Sequence, residues 1–488
     1  MLPFIWLLVF MQAFLVWMDM EHMDHSMNLT CYQGGFEMDF KKVMTVLVLI
    51  VVPVVAQSTN GYFSHGTGLT NRALGGAGVA FPQDALASAT NPAGMAFVGN
   101  RLDAGAVLFK PDRGYSPSAS LANGNGGAFT LGAGSETSRN RGFIIPSFGF
   151  NYMLSEQDAV GLSVYGNGGM NTSYKSGSAS FDPFGMRGAG VSFPGALGAG
   201  TAGVDLMQVF FNLSYAHKFS DRFSVGVSPL LTMQSFRSNG LDAFAPFTKT
   251  FVESQGTQMP NHLTQNGTDN AFGWGLQVGV LAKDIADVAD LGISYRTKIN
   301  MERWDDYADL FAEDGTFDIP STLWAGVAIE VAENVTFVAD YQRIWYRDSD
   351  AISNGVQNLF DCPALGGQDL ESCLGGDRGA GFGWDDMDIF KVGLQWQARP
   401  HVIGRIGYSH ASQPIGSDQV LFNLLAPAVV EDHITLGATV TTRAGDITVE
   451  AMHAFGNSVK GNNPFDPTQT IRLRMEQSEI GVGWSAKF

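Results

Sequence analysis

Charge is what this sequence has least of. Lys, Arg, Asp and Glu together supply 16% of its 488 residues, against about 25% in an ordinary soluble domain. Basic residues are the scarcer sign: 29 Lys and Arg stand against 47 Asp and Glu, a formal charge of −18. Such a chain lacks the clustered cations that neutralise phosphates, so nucleic acid is excluded as a partner. Long apolar runs are also missing. Past the N-terminal region, no stretch approaches the roughly 20 residues that a helical membrane span needs. Enzyme signatures are absent too: there is no GxSxG elbow, HExxH pair or Walker A loop, and no catalytic residue, metal or cofactor is expected. Gly198–Gly203 has dinucleotide-loop spacing but no strand-to-helix context. Ser409 and His410 are adjacent, and neighbours on a strand point to opposite faces, so they cannot share a proton.

What is present is glycine, with 59 residues, and enough aromatic side chains (35 Phe and 9 Trp) to rule out disorder. The N-terminus separates from the rest. Residues 38–56 read as a signal peptide: Lys41 and Lys42 precede the run VMTVLVLIVVPVV, and Val54 and Ala56 suit a cut after Ala56. Residues 1–37 then read as an over-extended gene start, the alternative being a membrane anchor at residues 3–18. The remaining cysteines, Cys362 and Cys373, fit a local disulfide in an oxidising compartment. Zinc is the weaker alternative, because neither a CxxC pair nor a nearby His accompanies them.

From residue 102 onward the pattern has period two. Ile480, Val482, Trp484, Ala486 and Phe488 fall on one face of the last segment, and Glu479, Gly481, Gly483, Ser485 and Lys487 on the other. Fourteen such segments are expected, near 102–110, 142–154, 157–166, 204–219, 221–237, 270–284, 288–302, 317–331, 333–347, 385–398, 400–411, 429–443, 445–456 and 470–488. Their connections alternate between tight turns and long loops, the last long one at 457–469. An even number of strands, with short turns at one end and long loops at the other, predicts an all-β, 14-stranded antiparallel transmembrane β-barrel over 102–488. Its outward face meets outer-membrane lipid. It must close, since lipid offers no partner to an unpaired backbone.

Residues 57–101 do not alternate. They are rich in Gly and Ala and suit a compact plug inside the lumen, where Pro92 would stop a helix begun at residues 84–89. The stretch GTGLTNRALGGAGVAFPQDALASATNPAGMA, at 66–96, resembles the plug, or hatch, of the FadL family of outer-membrane transporters for hydrophobic compounds, with the plug motif at Asn91, Pro92, Ala93 and Gly94. The resemblance implies a monomeric, porin-like passive channel of the bacterial outer membrane. Its ligand would be a hydrophobic small molecule, foremost a long-chain fatty acid, with toluene- or xylene-like hydrocarbons second. Ligand would be captured by outer loops, held in a lumen pocket, and released sideways after a plug movement through a gap at the third strand. Gly166, Gly168 and Gly169 are the candidates for that gap, the alternative being an ordinary loop start. A structural, adhesive or phage-receptor barrel is the reading from a different class, and an outer-membrane lipase the third.

Capture needs apolar surface and, for an acid, a cation. Phe181, Phe184, Phe193, Phe244, Phe247 and Phe251 supply apolar loop groups. Parity places Leu291, Ile293 and Tyr295 toward lipid, so Arg296 and Lys298 on the seventh strand, and Arg405 on the eleventh, are expected to face inward as carboxylate ligands. A lipid-facing Arg would cost about 2–4 kcal/mol at mid-bilayer. The alternative for each is an ion pair with Glu330, Asp340 or Glu450.

Overall fold

The structure is a computed structural model that describes residues 60–182 and 190–488. The assigned gene start and signal peptide, as well as Phe184, lie outside the described residues. Fourteen long strands form one ring: β1 (Arg101–Pro117), β2 (Phe143–Met153), β3 (Asp158–Asn171), β4 (Gly203–Ser220), β5 (Phe223–Asn239), β6 (Asp269–Ile285), β7 (Ala289–Arg296), β8 (Thr322–Ala332), β9 (Val335–Ile344), β10 (Met387–Arg399), β11 (Val402–Ala411), β12 (Asp432–Thr442), β13 (Gly445–Asn463) and β14 (Asp466–Lys487). Each pairs antiparallel with its neighbour in sequence. β14 pairs with β1 from Arg101↔Lys487 to Pro117↔Ile471, which closes the barrel.

Alternation sorts the two faces. On β14, Ile480 and Val482 are 67% and 56% exposed, whereas Glu479 is 2% exposed. The apolar face is the one turned outward, which is the arrangement of a barrel in lipid. Among the described residues no helix is long and apolar enough to cross a membrane. Tight turns sit at one end, as at Glu333–Asn334, where Asn334 takes φ 66°. The long loops 118–142, 172–202, 240–268, 297–321, 345–386 and 412–431 gather at the other end.

Several sequence boundaries differ from expectation: β1 runs on to Pro117 and β8 starts only at Thr322. The long loop expected at 457–469 is instead a projecting hairpin: β13 and β14 stay paired as far as Asn463↔Asp466. Its residues still alternate, but in polar types, so the hydrophobic period fades while the ladder continues. β7 stops at Arg296, short of residue 302. β3 runs through the glycines at 166–169 to Asn171 instead of ending there.

Residues 60–100 fold as short pieces: a helix at Leu69–Arg72 and 3-10 turns at Ala85–Ala89 and Pro92–Phe97. Pro92 opens the last turn as well as following the preceding one, because its fixed φ and missing N–H suit a first helical position. Asp84 and Asn91 cap the two turns through their side chains. This segment occupies the lumen. It packs so closely that a Cβ on Gly226 would meet Ala93, on Gly279 Asn91, on Gly292 Val79, and on Gly407 Gly75. Those four glycines lie on β5, β6, β7 and β11, so part of the glycine excess is wall surface made smooth for the segment.

Candidate functional site

The outer loops and the start of β4 line a small, partly open apolar pocket of about 40 Å³, bounded by Val204, Leu241, Phe244, Leu263, Leu310, Phe311, Leu374, Ala380, Gly381, Phe382, Phe422 and Leu425. No lining side chain carries a charge. One wall is fixed by backbone pairing: the Leu374 N–H donates to the Phe247 carbonyl (2.9 Å), and the Lys249 N–H to the Leu374 carbonyl (2.8 Å). The Cys362–Cys373 disulfide lies immediately before Leu374. Lys249 Nζ stands 2.8 Å from Glu371, and the ammonium's hydrogen bond holds that carboxyl below the usual carboxylate range. Arg378 does the same for Asp369, donating through Nε (2.9 Å) and Nη2 (2.6 Å).

Of the described aromatic loop residues expected to capture ligand, Phe244 alone lines this pocket. Phe181 and Phe193 stack on one another nearby in sequence space, centroids 4.7 Å apart, within a small three-stranded loop sheet. Phe247 stacks on Phe465, and Phe251 is half-buried on the short helix Lys249–Glu253. Val204 comes from the start of β4, and the remaining lining from loops 240–268, 297–321, 345–386 and 412–431. Apolar pairs such as Leu310–Phe311 and Leu424–Leu425, set in otherwise polar loops, were the available signal for it.

A continuous apolar cluster leads from Phe244 and Leu425 to Tyr62, Phe63, Tyr165 and Phe210 inside the barrel. There lies Arg296, 2% exposed at the end of β7. Its guanidinium sits over three rings, Phe210 (4.9 Å), Phe63 (5.0 Å) and Trp324 (5.5 Å). It donates to Asn167 Oδ1 (3.1 Å) and Thr322 Oγ1 (3.2 Å). Among the described residues no carboxylate pairs with it, and its Nε has no hydrogen-bond partner.

The other two expected cations are differently placed. Lys298 lies beyond the end of β7, 38% exposed, in an ion pair with Asp318 (2.7 Å), so it is a rim residue and not a lumen cation on that strand. Arg405 is buried on β11 but donates to Gln395, Thr439 and Gln83 of the lumen segment. None of the three pairs with Glu330, Asp340 or Glu450.

Asn167 also marks an irregularity of the wall. The β3–β4 register shifts between Gly166 and Gly168, leaving Asn167 as the extra residue of a bulge. On its other side β3 loses its partner: the ladder to β2 ends at Ser147↔Tyr165, immediately after Pro146, which has no N–H to give. The lumen segment pairs there instead. Ser64 N–H donates to the Asn167 carbonyl and Gly169 N–H to the Tyr62 carbonyl, each 2.8 Å. Farther along, Asn91 donates through Nδ2 to the carbonyls of Val79 (2.9 Å) and Val280 (3.0 Å), tying the motif's first residue to β6. Ala93 and Gly94 lie buried in the turn that follows.

Solved structures share this architecture. The toluene transporter TodX of P. putida matches with a TM-score of 0.60 at 17% identity, over 87% of this chain and 99% of that one. A FadL homologue of Pseudomonas aeruginosa matches with a TM-score of 0.59 at 15% identity, over 88% of this chain and 100% of that one. The Ralstonia pickettii toluene transporter TbuX gives 0.55 at 16%, over 87% and 99%. At these identities the likeness shows the fold. A search of curated proteins finds no match. The family model described as outer membrane protein transport protein (OMPP1/FadL/TodX) matches residues 55–421. The chain therefore belongs to this family of bacterial outer-membrane transport proteins for hydrophobic compounds.

Proposed function

We propose that this barrel is a passive, monomeric channel for long-chain fatty acids. The observation that carries the reading is Arg296: a guanidinium buried among aromatic rings, with no carboxylate partner among the described residues. A buried cation without a counter-charge is costly, by several kcal/mol even after relaxation. Cation–π contacts offset part of that. A ligand carboxylate would supply the rest, and its acyl chain would fill apolar space at about 0.8 kcal/mol per buried methylene. In this reading the loop pocket captures the chain and the carboxylate goes on to Arg296. The residues 60–100 act as a plug, and ligand leaves sideways where β3 has lost its β2 partner, beside Gly166, Gly168 and Gly169. The apolar, chargeless loop pocket supports a second reading, uptake of an uncharged aromatic hydrocarbon.

Whole-cell uptake of labelled oleate and labelled toluene separates the two. Fatty acid transport predicts saturable oleate uptake that falls about tenfold or more in Arg296→Gln at limiting concentration, the loss of a charge-assisted pair. Toluene uptake that is unchanged in that variant, with no oleate uptake in the parent, supports the aromatic reading. Uptake of neither compound by a folded barrel overturns both.

A further inference from the structure

The lumen segment is gripped on one side by two buried charges of opposite sign that do not pair with each other. Asp340 on β9 and Lys391 on β10 are register partners across the strand pair, 4% and 3% exposed. Neighbours of opposite charge in a dry interior would ordinarily form an ion pair, yet each is turned to the segment's backbone. Asp340 Oδ2 accepts from the N–H groups of Gly78 (2.7 Å) and Val79 (2.9 Å). Lys391 Nζ donates to the carbonyls of His65 (2.8 Å) and Gly76 (3.3 Å). The chain between them is shaped for this. Gly76 takes φ 80°, and a Cβ there would collide with the His65 carbonyl, so only glycine lets two carbonyls and two N–H groups reach the wall so close together.

We propose that Asp340 and Lys391 are positioning residues that act as a polarity-matched clamp, holding residues 65–79 against the wall and keeping the aqueous path through the barrel closed. The carboxylate meets donors through Oδ2, while its Oδ1 has no hydrogen-bond partner, and the ammonium meets acceptors, so the pair is neutral and both charges are bound to the segment. Hydrogen bonds that involve a charge are roughly twice as strong as neutral ones. The neutral contact beside the clamp, Thr435 Oγ1 accepting from Gly75 N–H and donating to the Ala73 carbonyl, is the weaker kind. Moving the segment away from β9 and β10 would leave two buried charges unsatisfied together, which makes this side resist opening. The inference rests on residues 60–100 acting as a gate and is independent of which ligand the channel carries.

Ion conductance of the purified barrel in a planar bilayer, with no ligand added, tests it. The parent is expected to be nearly closed. Lys391→Met and Asp340→Ala are each expected to raise open probability roughly ten- to a hundredfold, the equivalent of one or two charged hydrogen bonds. The decisive variant is the exchange Asp340→Lys with Lys391→Asp. An ion pair that only braced the barrel would be restored by the exchange. A clamp would not, because ammonium would then face N–H groups and carboxylate would face carbonyls, so the exchanged channel should leak. A closed exchange variant, or single variants as closed as the parent, overturns the proposal. Should a single variant fail to insert, Lys391→Arg and Asp340→Asn decide. The first keeps the donors and should stay closed. The second weakens the acceptor, and an Ala77→Cys reporter in that background should become open to a membrane-impermeant maleimide; no labelling overturns the clamp. Oleate uptake failing while the clamp variants still leak would sink the fatty acid reading and leave this one standing.

Discussion

Asn91 and Gly279 are in direct contact where the lumen segment meets the wall: the amide of Asn91 lies where a side chain at position 279 would stand. The same amide donates to the carbonyls of Val79 and Val280, and its Oδ1 accepts from the Ala93 N–H (3.1 Å). Asn91 thus fastens its own turn, the chain twelve residues earlier and the wall at once. Gly279→Ala is expected to destabilise the seated segment by about 1–3 kcal/mol through overpacking. Asn91→Ala should do so by a similar ~1–3 kcal/mol through unsatisfied carbonyls. Neither should unfold the barrel, whose ladder does not use this side chain. Heat-modifiable electrophoretic mobility would report the barrel and protease access at residues 60–100 the segment. Parent-like protection in both variants would remove Asn91 as a fastener.

The bulge gives a second prediction. A Cβ on Gly168 would collide with the Tyr62 carbonyl, whose hydrogen bond from Gly169 N–H joins the lumen segment to β3. Gly168→Val should therefore push residues 60–64 off the strand and expose them to protease, while the β3–β4 pairing below Gly166 holds. Gly161→Val is not an equivalent control, because position 161 faces Met95 of the segment. Gly142→Val, which meets nothing within 4 Å, is the better one and should leave cleavage unchanged. Equal cleavage in the Gly168 and Gly142 variants would break the assignment.

The barrel was legible because a strand with one lipid face and one lumen face writes its period directly into residue type, as Ile480, Val482 and Trp484 against Glu479 show. Parity also placed Arg296 correctly on the inner face. It failed at Lys298, since alternation does not say where a strand ends, and β7 stops two residues earlier. The projecting hairpin of β13 and β14 was missed because outside the bilayer neither face need be apolar. Pro146 was a visible mark of the interrupted β2–β3 ladder, but its meaning depends on a partner strand that sequence spacing does not supply. The pocket lining was least legible of all: Leu263, Phe311, Leu374 and Phe422 are brought together by loops with no period.

Acid should loosen the loop wall of the pocket. Lys249 and Arg378 hold the carboxyls of Glu371 and Asp369 below their usual range. Groups with lowered folded values contribute stability that is present above the unfolded pKa, near 4 for these acids. That contribution is lost as pH falls through the lower folded values. Protease sensitivity of loop 345–386 should therefore be flat between about pH 5 and 8 and rise only below about pH 4. Arg378→Gln should move the onset upward toward the ordinary carboxylate range. Both ion pairs are partly exposed, so high salt at neutral pH should reproduce part of the effect. An onset near pH 6 would point to histidine instead.

The disulfide should matter to capture and not to the barrel. Cys362 and Cys373 are 11 positions apart and both fully buried, and the bridge closes a local loop that leads directly into Leu374 of the pocket wall. Closing a loop of that length restricts the open chain by about 3 kcal/mol in the loop-entropy account. That restriction acts on the loop's own order–disorder equilibrium, since none of the fourteen strands contains either cysteine. The double variant Cys362→Ser with Cys373→Ser is therefore expected to keep the parent's heat-modifiable mobility. Its loop 345–386 should be cleaved faster, and ligand uptake at limiting concentration should fall while uptake at saturation changes little. Reductant should reproduce this slowly, because the sulfurs are reached only when the loop opens. A matching drop at saturating ligand would mean that the bridge supports the passage through the lumen and not the pocket at its mouth.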